Sequence, residues 1–151
     1  VRAFAADAFE TAGREPLATL HTLMHRLAET VAVDAAAPAA LPDAVLAEKT
    51  ARVEDVAHLF AACARALDIP ARIAGGWLAR GVAHTWIEAH LGPSLGWVGF
   101  DAVEDSCPTD AWIRRAIGLD ALDAAPLRGV RTHIGAETET TRITVREVSR
   151  A

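Results

Sequence analysis

The sequence predicts an α+β fold, in which N-terminal helices and a buried central helix pack on an antiparallel β-sheet. The first half of the 151-residue chain repeats its apolar residues at the three- and four-residue spacing of a helix. The second half contains short segments rich in Trp, Ile and Val, separated by Gly, Pro and Ser. Helices that precede strands in this way are typical of α+β architecture.

The first residue already lies within a helical pattern, and an amphipathic helix follows. Pro16 lies near the start of that helix, where proline is tolerated. The apolar stripe consists of Leu17, Leu20, Met24, Leu27 and Val31. The Ala- and Pro-rich segment 33–42 predicts a loop, and the sequence PDAVLAEK after it predicts a short helix.

The central helix is predicted over residues 53–68, VEDVAHLFAACARALD. Its apolar stripe is flanked by further alanines, so the helix is apolar around most of its circumference. Such a helix is normally buried. Pro70 limits it at the C-terminal end.

The second half predicts an antiparallel sheet. The segment 138–148 alternates between apolar and polar residues with the period of a half-exposed strand. The five predicted strands are ARIAGGWLA, AHTWIEAHL, GWVGFDA, WIRRAIGLD and TETTRITVREV.

Length and composition predict one domain over residues 1–151, and the missing initiator Met suggests the C-terminal part of a longer protein. A formal charge of −5 argues against nucleic acid as a partner. No apolar run is long enough for a transmembrane helix, so no membrane partner is expected. Two cysteines are too few for a disulfide framework, which makes a cytoplasmic location the default. No cofactor is expected.

His84 and Asp101 are the first candidates for chemistry. They lie on consecutive predicted strands, so they could meet across the sheet. A carboxylate in that position orients an imidazole and stabilises its charged form. The alternative is an ordinary surface histidine and an aspartate in a turn.

A metal site is a second hypothesis. His21 and His25 have the i, i+4 spacing that can chelate a metal, and Glu29 lies one turn further on. The sequence has no HExxH pattern, so a solvated polar helix face is the preferred interpretation.

His84 could also share a metal with a second histidine. On one continuous strand His90 would lie about 20 Å away, too far for one ion, whereas His58 is geometrically possible. His58 lies one turn from Glu54 and is better interpreted as a helix residue with a structural hydrogen bond.

The two cysteines are weak candidates for a nucleophile. Cys63 lies among alanines of the buried helix, where a thiol behaves as a small, inert hydrophobic group. Cys107 is predicted in a loop beside Glu104 and Asp105, whose charges would disfavour its thiolate.

Three blocks of the sequence resemble the bacterial transglutaminase-like cysteine peptidase family, over most of the chain from Leu17 to Val148. The blocks are DVAHLFAACARALDIPARIAGGWL, AHTWIEAHLGPSLGWVGFD and CPTDAWIRRAIGLDALDAAPLRG. The resemblance implies a papain-like arrangement, with a Cys at the start of the central helix, a His on a strand and an Asp on the next strand. The family's His matches His84, in a stretch that keeps Trp86 and Glu88, and its Asp matches Asp101.

The nucleophile position departs from the family pattern. The family's Gly-x-Cys-x-Asp-x-Ala-His stretch matches residues 51–58, where Val53 occupies the place of the Cys and Ala51 that of the Gly. Ala-Val-Glu replaces the common Pro-Thr-Asn after Asp101. Cys63 cannot substitute, because it lies about 15 Å along the helix and about 80° around it. Several such changes are typical of natural divergence after catalysis is lost.

The sequence therefore predicts a catalytically inactive transglutaminase-like domain that binds a peptide or protein partner or acts as a scaffold. Val53 is expected to fill the volume of the thiol, to close the base of the cleft and to stabilise the fold. The alternative is an active amide hydrolase or acyltransferase in which His84 and Asp101 use water, or Ser106 or Cys107, as the nucleophile.

Overall fold

The structure, a computed structural model, describes residues 1–125, 135 and 143–146. Five helices lie in this part of the chain: α1 (Arg2–Thr11), α2 (Pro16–Thr30), α3 (Pro42–Glu48), α4 (Val53–Ala66) and the short α5 (Gly92–Leu95). The strands are β1 (Ala32–Val33), β2 (Thr50–Ala51), β3 (Ala71–Leu78), β4 (Ala83–His90), β5 (Trp97–Phe100) and β6 (Trp112–Gly118).

Helix α2 begins where its sequence supplies a cap. The Glu15 carboxylate accepts hydrogen bonds from the N–H groups of Leu17 and Ala18, at 3.1 and 2.6 Å, and Pro16 occupies the first turn. These bonds satisfy two of the N–H groups that a helix start leaves unpaired. The apolar stripe of α2 then faces the core, with Leu20, Leu23, Met24 and Leu27 buried.

Helix α4 is the centre of the fold. It contacts α1, α2 and α3 as well as β3 and β4, and most of its residues are buried. Phe60 of α4 meets Phe100 of β5 edge-on, with the ring centroids 6.1 Å apart. Ile73 and Ile87, which pair across β3 and β4, complete this face of the core.

The main sheet has the strand order β5-β4-β3-β6, and all neighbours are antiparallel. The pairing of β3 with β6 shifts register between Gly75 and Gly76. A Cβ atom on Gly76 would lie 2.0 Å from the backbone oxygen of Ile113, so only glycine fits this irregularity.

The predicted α+β class is confirmed, as are the helices that begin at Pro16, Pro42 and Val53 and the first four predicted strands. The parallel pair β1 and β2 was not predicted, because two-residue strands carry no periodicity. The predicted strand 138–148 falls mostly outside the described residues, and its described part, 143–146, has no regular secondary structure. Among the described residues, no helix has the length and apolar character needed to cross a bilayer.

Candidate functional site

A cleft of about 550 Å³ lies where α4 and β4 both begin. The first turn of α4, the second half of β3 and the start of β4 form its walls, together with a turn at residues 119–125 that we call the 119–125 turn. Val53 and His84 both line this cleft. The structure therefore brings together the helix start and the histidine that the sequence analysis singled out.

His84 and Asp101 meet as predicted. The Nε2 atom of His84 lies 2.5 Å from Oδ2 of Asp101, and both side chains are almost completely buried. The carboxylate accepts the Nε2–H bond, which orients the ring and leaves Nδ1 as the second nitrogen. The described residues offer Nδ1 no hydrogen-bond partner, and His84 lines the cleft.

Asp101 receives three more hydrogen bonds. The indole Nε1–H of Trp112 donates to Oδ2 at 2.8 Å, and the backbone N–H groups of Val103 and Glu104 donate to Oδ1 at 2.9 and 3.2 Å. All four partners are donors, so the site is built around a carboxylate. Sequence analysis missed Trp112; the only available signal was that a buried indole N–H needs an acceptor.

The turn that carries Asp101 is held from two sides. Arg80, in the loop between β3 and β4, makes two hydrogen bonds to Glu104, at 2.7 and 3.0 Å. Their hydrogen bonding lowers the pKa of Glu104 and raises that of Arg80. On the other side, Nδ1 of His25 lies 2.5 Å from the carboxylate of Asp105.

Val53 is the first residue of α4 and is half-buried. Val53 lines the cleft together with His84, and the expectation that it closes the base of the cleft stays a prediction. Asp55 has a structural role here: its buried carboxylate accepts hydrogen bonds from Arg52 Nε at 3.1 Å and from the Ala40 N–H at 3.3 Å. The hydrogen bond with Asp55 raises the pKa of Arg52.

Comparison with known proteins places these features in a family. The sequence profile of the Transglutaminase-like superfamily matches residues 3–102, which include all of α4 and β4 and extend past Asp101. The chain belongs to the Transglutaminase-like superfamily.

A curated relative and two solved structures resemble this transglutaminase-like chain. The uncharacterized protein ML0607 of Mycobacterium leprae is 33% identical over 94 residues, which cover 55% of this chain and 33% of that protein. The structure of a proposed cysteine protease from Cytophaga hutchinsonii has a TM-score of 0.66 and 26% identity, covering 80% of this chain and 43% of its own. The periplasmic domain of TgpA from Pseudomonas aeruginosa has a TM-score of 0.59 and 24% identity.

The matched relatives are longer than the part that corresponds to this chain. The periplasmic domain of TgpA matches 69% of this chain with 42% of its own length. The transglutaminase-like chain thus spans about a third of the Mycobacterium leprae protein and less than half of these two structures.

His58 of the transglutaminase-like core has the structural role that the sequence predicted. Its Nε2 accepts a hydrogen bond from the backbone N–H of Ala121 at 2.9 Å, so the partner lies in the 119–125 turn and not on α4. His58 is not among the residues that line the cleft, and no group of three or more possible metal ligands that includes both His58 and His84 occurs in the described part of the chain.

The other histidines have packing roles. The ring of His21 meets the edge of Phe100, with centroids 5.3 Å apart, and His90 meets Trp97 at 5.4 Å. His21 and His25 stack with their centroids 6.4 Å apart. Over the residues that the structure describes, no cluster of three or more His, Cys, Asp or Glu side chains could hold a metal ion. The predicted His21, His25 and Glu29 set is therefore not assembled.

The two cysteines and Ser106 lie outside the cleft lining. Burial raises the pKa of the Cys63 thiol to about 12, as expected of an inert core residue. Burial also raises the pKa of Cys107, so the cause is its partly buried position and not the neighbouring acids named in the sequence analysis. Ser106 is fixed by two backbone hydrogen bonds with Asp101. Within the described part of the chain, neither Ser106 nor Cys107 forms a hydrogen bond with His84.

Proposed function

We propose that this is a catalytically inactive transglutaminase-like domain whose cleft binds a peptide or an extended segment of a protein. One observation carries the proposal: Val53 occupies the first position of α4 and lines the same cleft as His84. The family resemblance assigns that position to the nucleophilic thiol. Valine has no nucleophilic atom, so an acyl-enzyme intermediate cannot form there.

The retained residues have structural reasons to persist without catalysis. Asp55 holds Arg52 and the loop at Ala40, and His58 holds the 119–125 turn. Removing one member of the buried His84–Asp101 pair would leave the other without its hydrogen-bond partner, which is costly. Their presence is therefore compatible with a binding role.

The cleft has the features of a binding groove. It is lined mainly by small or apolar side chains on strand and turn walls, among them Val82, Ala83 and Ala124. Its volume of about 550 Å³ lies in the range of ligand-binding sites, about 300–1,000 Å³. Such a groove fits an extended peptide with small side chains.

A second candidate is hydrolysis by an activated water molecule. His84 is oriented by Asp101, and its Nδ1 has no partner among the described residues. A neutral imidazole in this position could act as a general base toward water in the cleft. The amide or ester bond would then be cleaved without a covalent intermediate.

Hydrolysis of a panel of activated esters and amides tests both candidates. We would compare the parent with the His84→Ala variant and with His90→Ala, a control on the same strand that lies outside the cleft lining. Equal rates for all three proteins, at the uncatalysed background, are expected for the inactive domain. Turnover by the parent and by His90→Ala, but not by His84→Ala, would overturn that proposal in favour of the hydrolase.

We further propose a reducing, cytoplasmic location. Cys63 and Cys107 are both free thiols, and Cys63 is buried. Free thiols are typical of proteins in a reducing compartment. The same fold occurs in the periplasmic domain of TgpA, so the fold itself does not determine the compartment. A fusion of the full-length gene product to a compartment-sensitive reporter would distinguish the two locations.

A further inference from the structure

Arg115 contributes a positive charge to the cleft wall. One of its guanidinium N–H groups donates to the carbonyl oxygen of Ala124 at 2.7 Å. Arg115 is not among the arginines that form ion pairs in the described part of the chain. A guanidinium has five N–H donors, so most of its hydrogen-bonding capacity remains for a ligand.

The neighbouring arginines differ from Arg115 in this respect. Arg52, which also lines the cleft, is paired with the buried carboxylate of Asp55. Arg114, next in sequence, is paired with Glu88 at 2.5 Å and does not line the cleft. Arg115 is exposed and lines the cleft.

The cleft also has a negative charge on a different wall from Arg115. Glu54, in the first turn of α4, lines the cleft beside Val53 and is exposed. The exposed Glu54 carboxylate disfavours a negative ligand group beside it, whereas Arg115, on β6, attracts one. The guanidinium fork matches the geometry of a carboxylate, with which it forms two parallel hydrogen bonds.

We propose that Arg115 selects peptides that place a carboxylate among small apolar residues, and that it fixes the direction of the peptide in the cleft. This inference rests on the proposed peptide-binding function. The carboxylate could belong to a Glu or Asp side chain or to the C-terminus of the peptide, because both present the same group to the guanidinium.

The test uses four pools of acetylated hexapeptides built from Ala, Gly, Val and Ser. One pool contains a fixed Glu and a C-terminal amide, one a free C-terminal carboxylate, one a fixed Lys and an amide, and one only neutral groups. Binding is followed by NMR through the indole N–H of Trp77 and the backbone amides of Gly75 and Thr85. We expect the Glu pool, the free-acid pool or both to bind at least about tenfold more tightly than the neutral and Lys pools.

Matched variants assign the preference to one side chain. Arg115→Gln removes the charge but keeps an N–H donor for the Ala124 carbonyl, and should reduce the acidic preference to within about twofold. Arg115→Lys should retain part of it, and Arg114→Gln, which removes a positive charge outside the cleft lining, should retain all of it. Circular dichroism spectra of the variants check that each one is folded.

The outcomes separate this inference from the function on which it rests. Binding to the cleft with no preference for the acidic pools, or with a preference unchanged in Arg115→Gln, overturns the role of Arg115 and leaves peptide binding standing. No shift of the cleft resonances with any pool at millimolar concentration overturns peptide binding itself, and the inference with it.

Discussion

Asp101 is the residue on which the geometry of the site depends most. It is buried, and its two oxygens accept hydrogen bonds from His84, Trp112 and two backbone N–H groups. Buried donors that lose an acceptor keep the full cost of their desolvation. The residue is therefore required for stability whether or not the domain is catalytic.

The Asp101→Asn substitution tests this contribution of the carboxylate to stability. The amide can still accept hydrogen bonds on one oxygen, but its NH2 group would face donors, and the indole N–H of Trp112 would lose its partner. We expect the free energy of unfolding to fall by about 1–3 kcal/mol, measured by urea denaturation. Asp105→Asn, in the same turn but exposed, is the control and should cost less than about 1 kcal/mol. Similar losses for both variants would contradict the role assigned to Asp101.

Val53 offers a direct test of what the family's thiol would do at this position. The Val53→Cys variant, in a Cys107→Ser background, should change the free energy of unfolding by less than about 1 kcal/mol, because Val53 is only half-buried. A helix N-terminus and a nearby imidazole favour the thiolate, so the new thiol should react with iodoacetamide faster than Cys107 does in the parent. Adding His84→Ala should slow that reaction. An alkylation rate independent of His84 would show that the two side chains do not interact.

Among the larger elements, the 119–125 turn is the cleft wall that depends most on contacts distant in sequence. Ala121 binds His58 on α4, Ala124 binds Arg115 on β6, and Leu119 accepts from Arg65. The turn also packs on β3, where a Cβ atom on Gly75 would lie 2.8 Å from the Ala124 oxygen. Three secondary-structure elements therefore position this one wall.

The Gly75→Ala substitution should displace the turn and widen the cleft. We expect a loss of about 1–3 kcal/mol in the free energy of unfolding, as for other overpacked sites. Hydrogen exchange of the Ala121 amide should become faster, both in this variant and in His58→Ala, which removes the acceptor of that amide. Amides in the middle of α4 provide the internal control. Unchanged protection of Ala121 in both variants would contradict this account of the wall.

The bond between Arg80 and Glu104 joins the β3–β4 loop to the turn that carries Asp101. Because hydrogen bonding to Arg80 lowers the pKa of Glu104 from 4.5, this link stabilises the fold above that pH and is lost as the pH falls through the lowered value. In the Arg80→Gln variant, an NMR titration should find the pKa of Glu104 raised toward its ordinary value. Between pH 3 and 6, the free energy of unfolding of this variant should depend less steeply on pH than that of the parent. A Glu104 pKa unchanged by the substitution would contradict the assignment.

Local sequence patterns predicted the helices and strands of this fold better than the contacts between residues distant in sequence. The stripes of α2 and α4, and the His84–Asp101 pair, follow from periodicity and from strand order. The contacts of Trp112 with Asp101 and of His58 with Ala121 could not be predicted, because they depend on the register of β6 and on the path of the turn after it. Those long-range contacts determine the shape of the cleft.

At the scale of the whole molecule, the cleft and the hydrophobic core share helix α4, so the cleft depends on the stability of the whole domain. Helix α4 begins at the cleft with Val53 and continues into the centre of the core, so the same helix forms part of the site and the interior. The thiol of Cys63, late in this helix, is fully buried, whereas Cys107 is only partly buried. The reactivity of Cys63 therefore measures opening of the core, and that of Cys107 measures opening nearer the surface.

Labelling of Cys63 should require unfolding of the whole domain. Its pKa of about 12 and its complete burial both prevent reaction in the folded state. In a Cys107→Ser background at pH 8, we expect its alkylation rate to rise with urea with the same dependence as global unfolding. Cys107 in a Cys63→Ala background should react faster and with a weaker dependence on urea, through local opening. A Cys63 rate insensitive to urea would mean that α4 opens locally, and that the N-terminal end of the helix does not hold the cleft as rigidly as its packing implies.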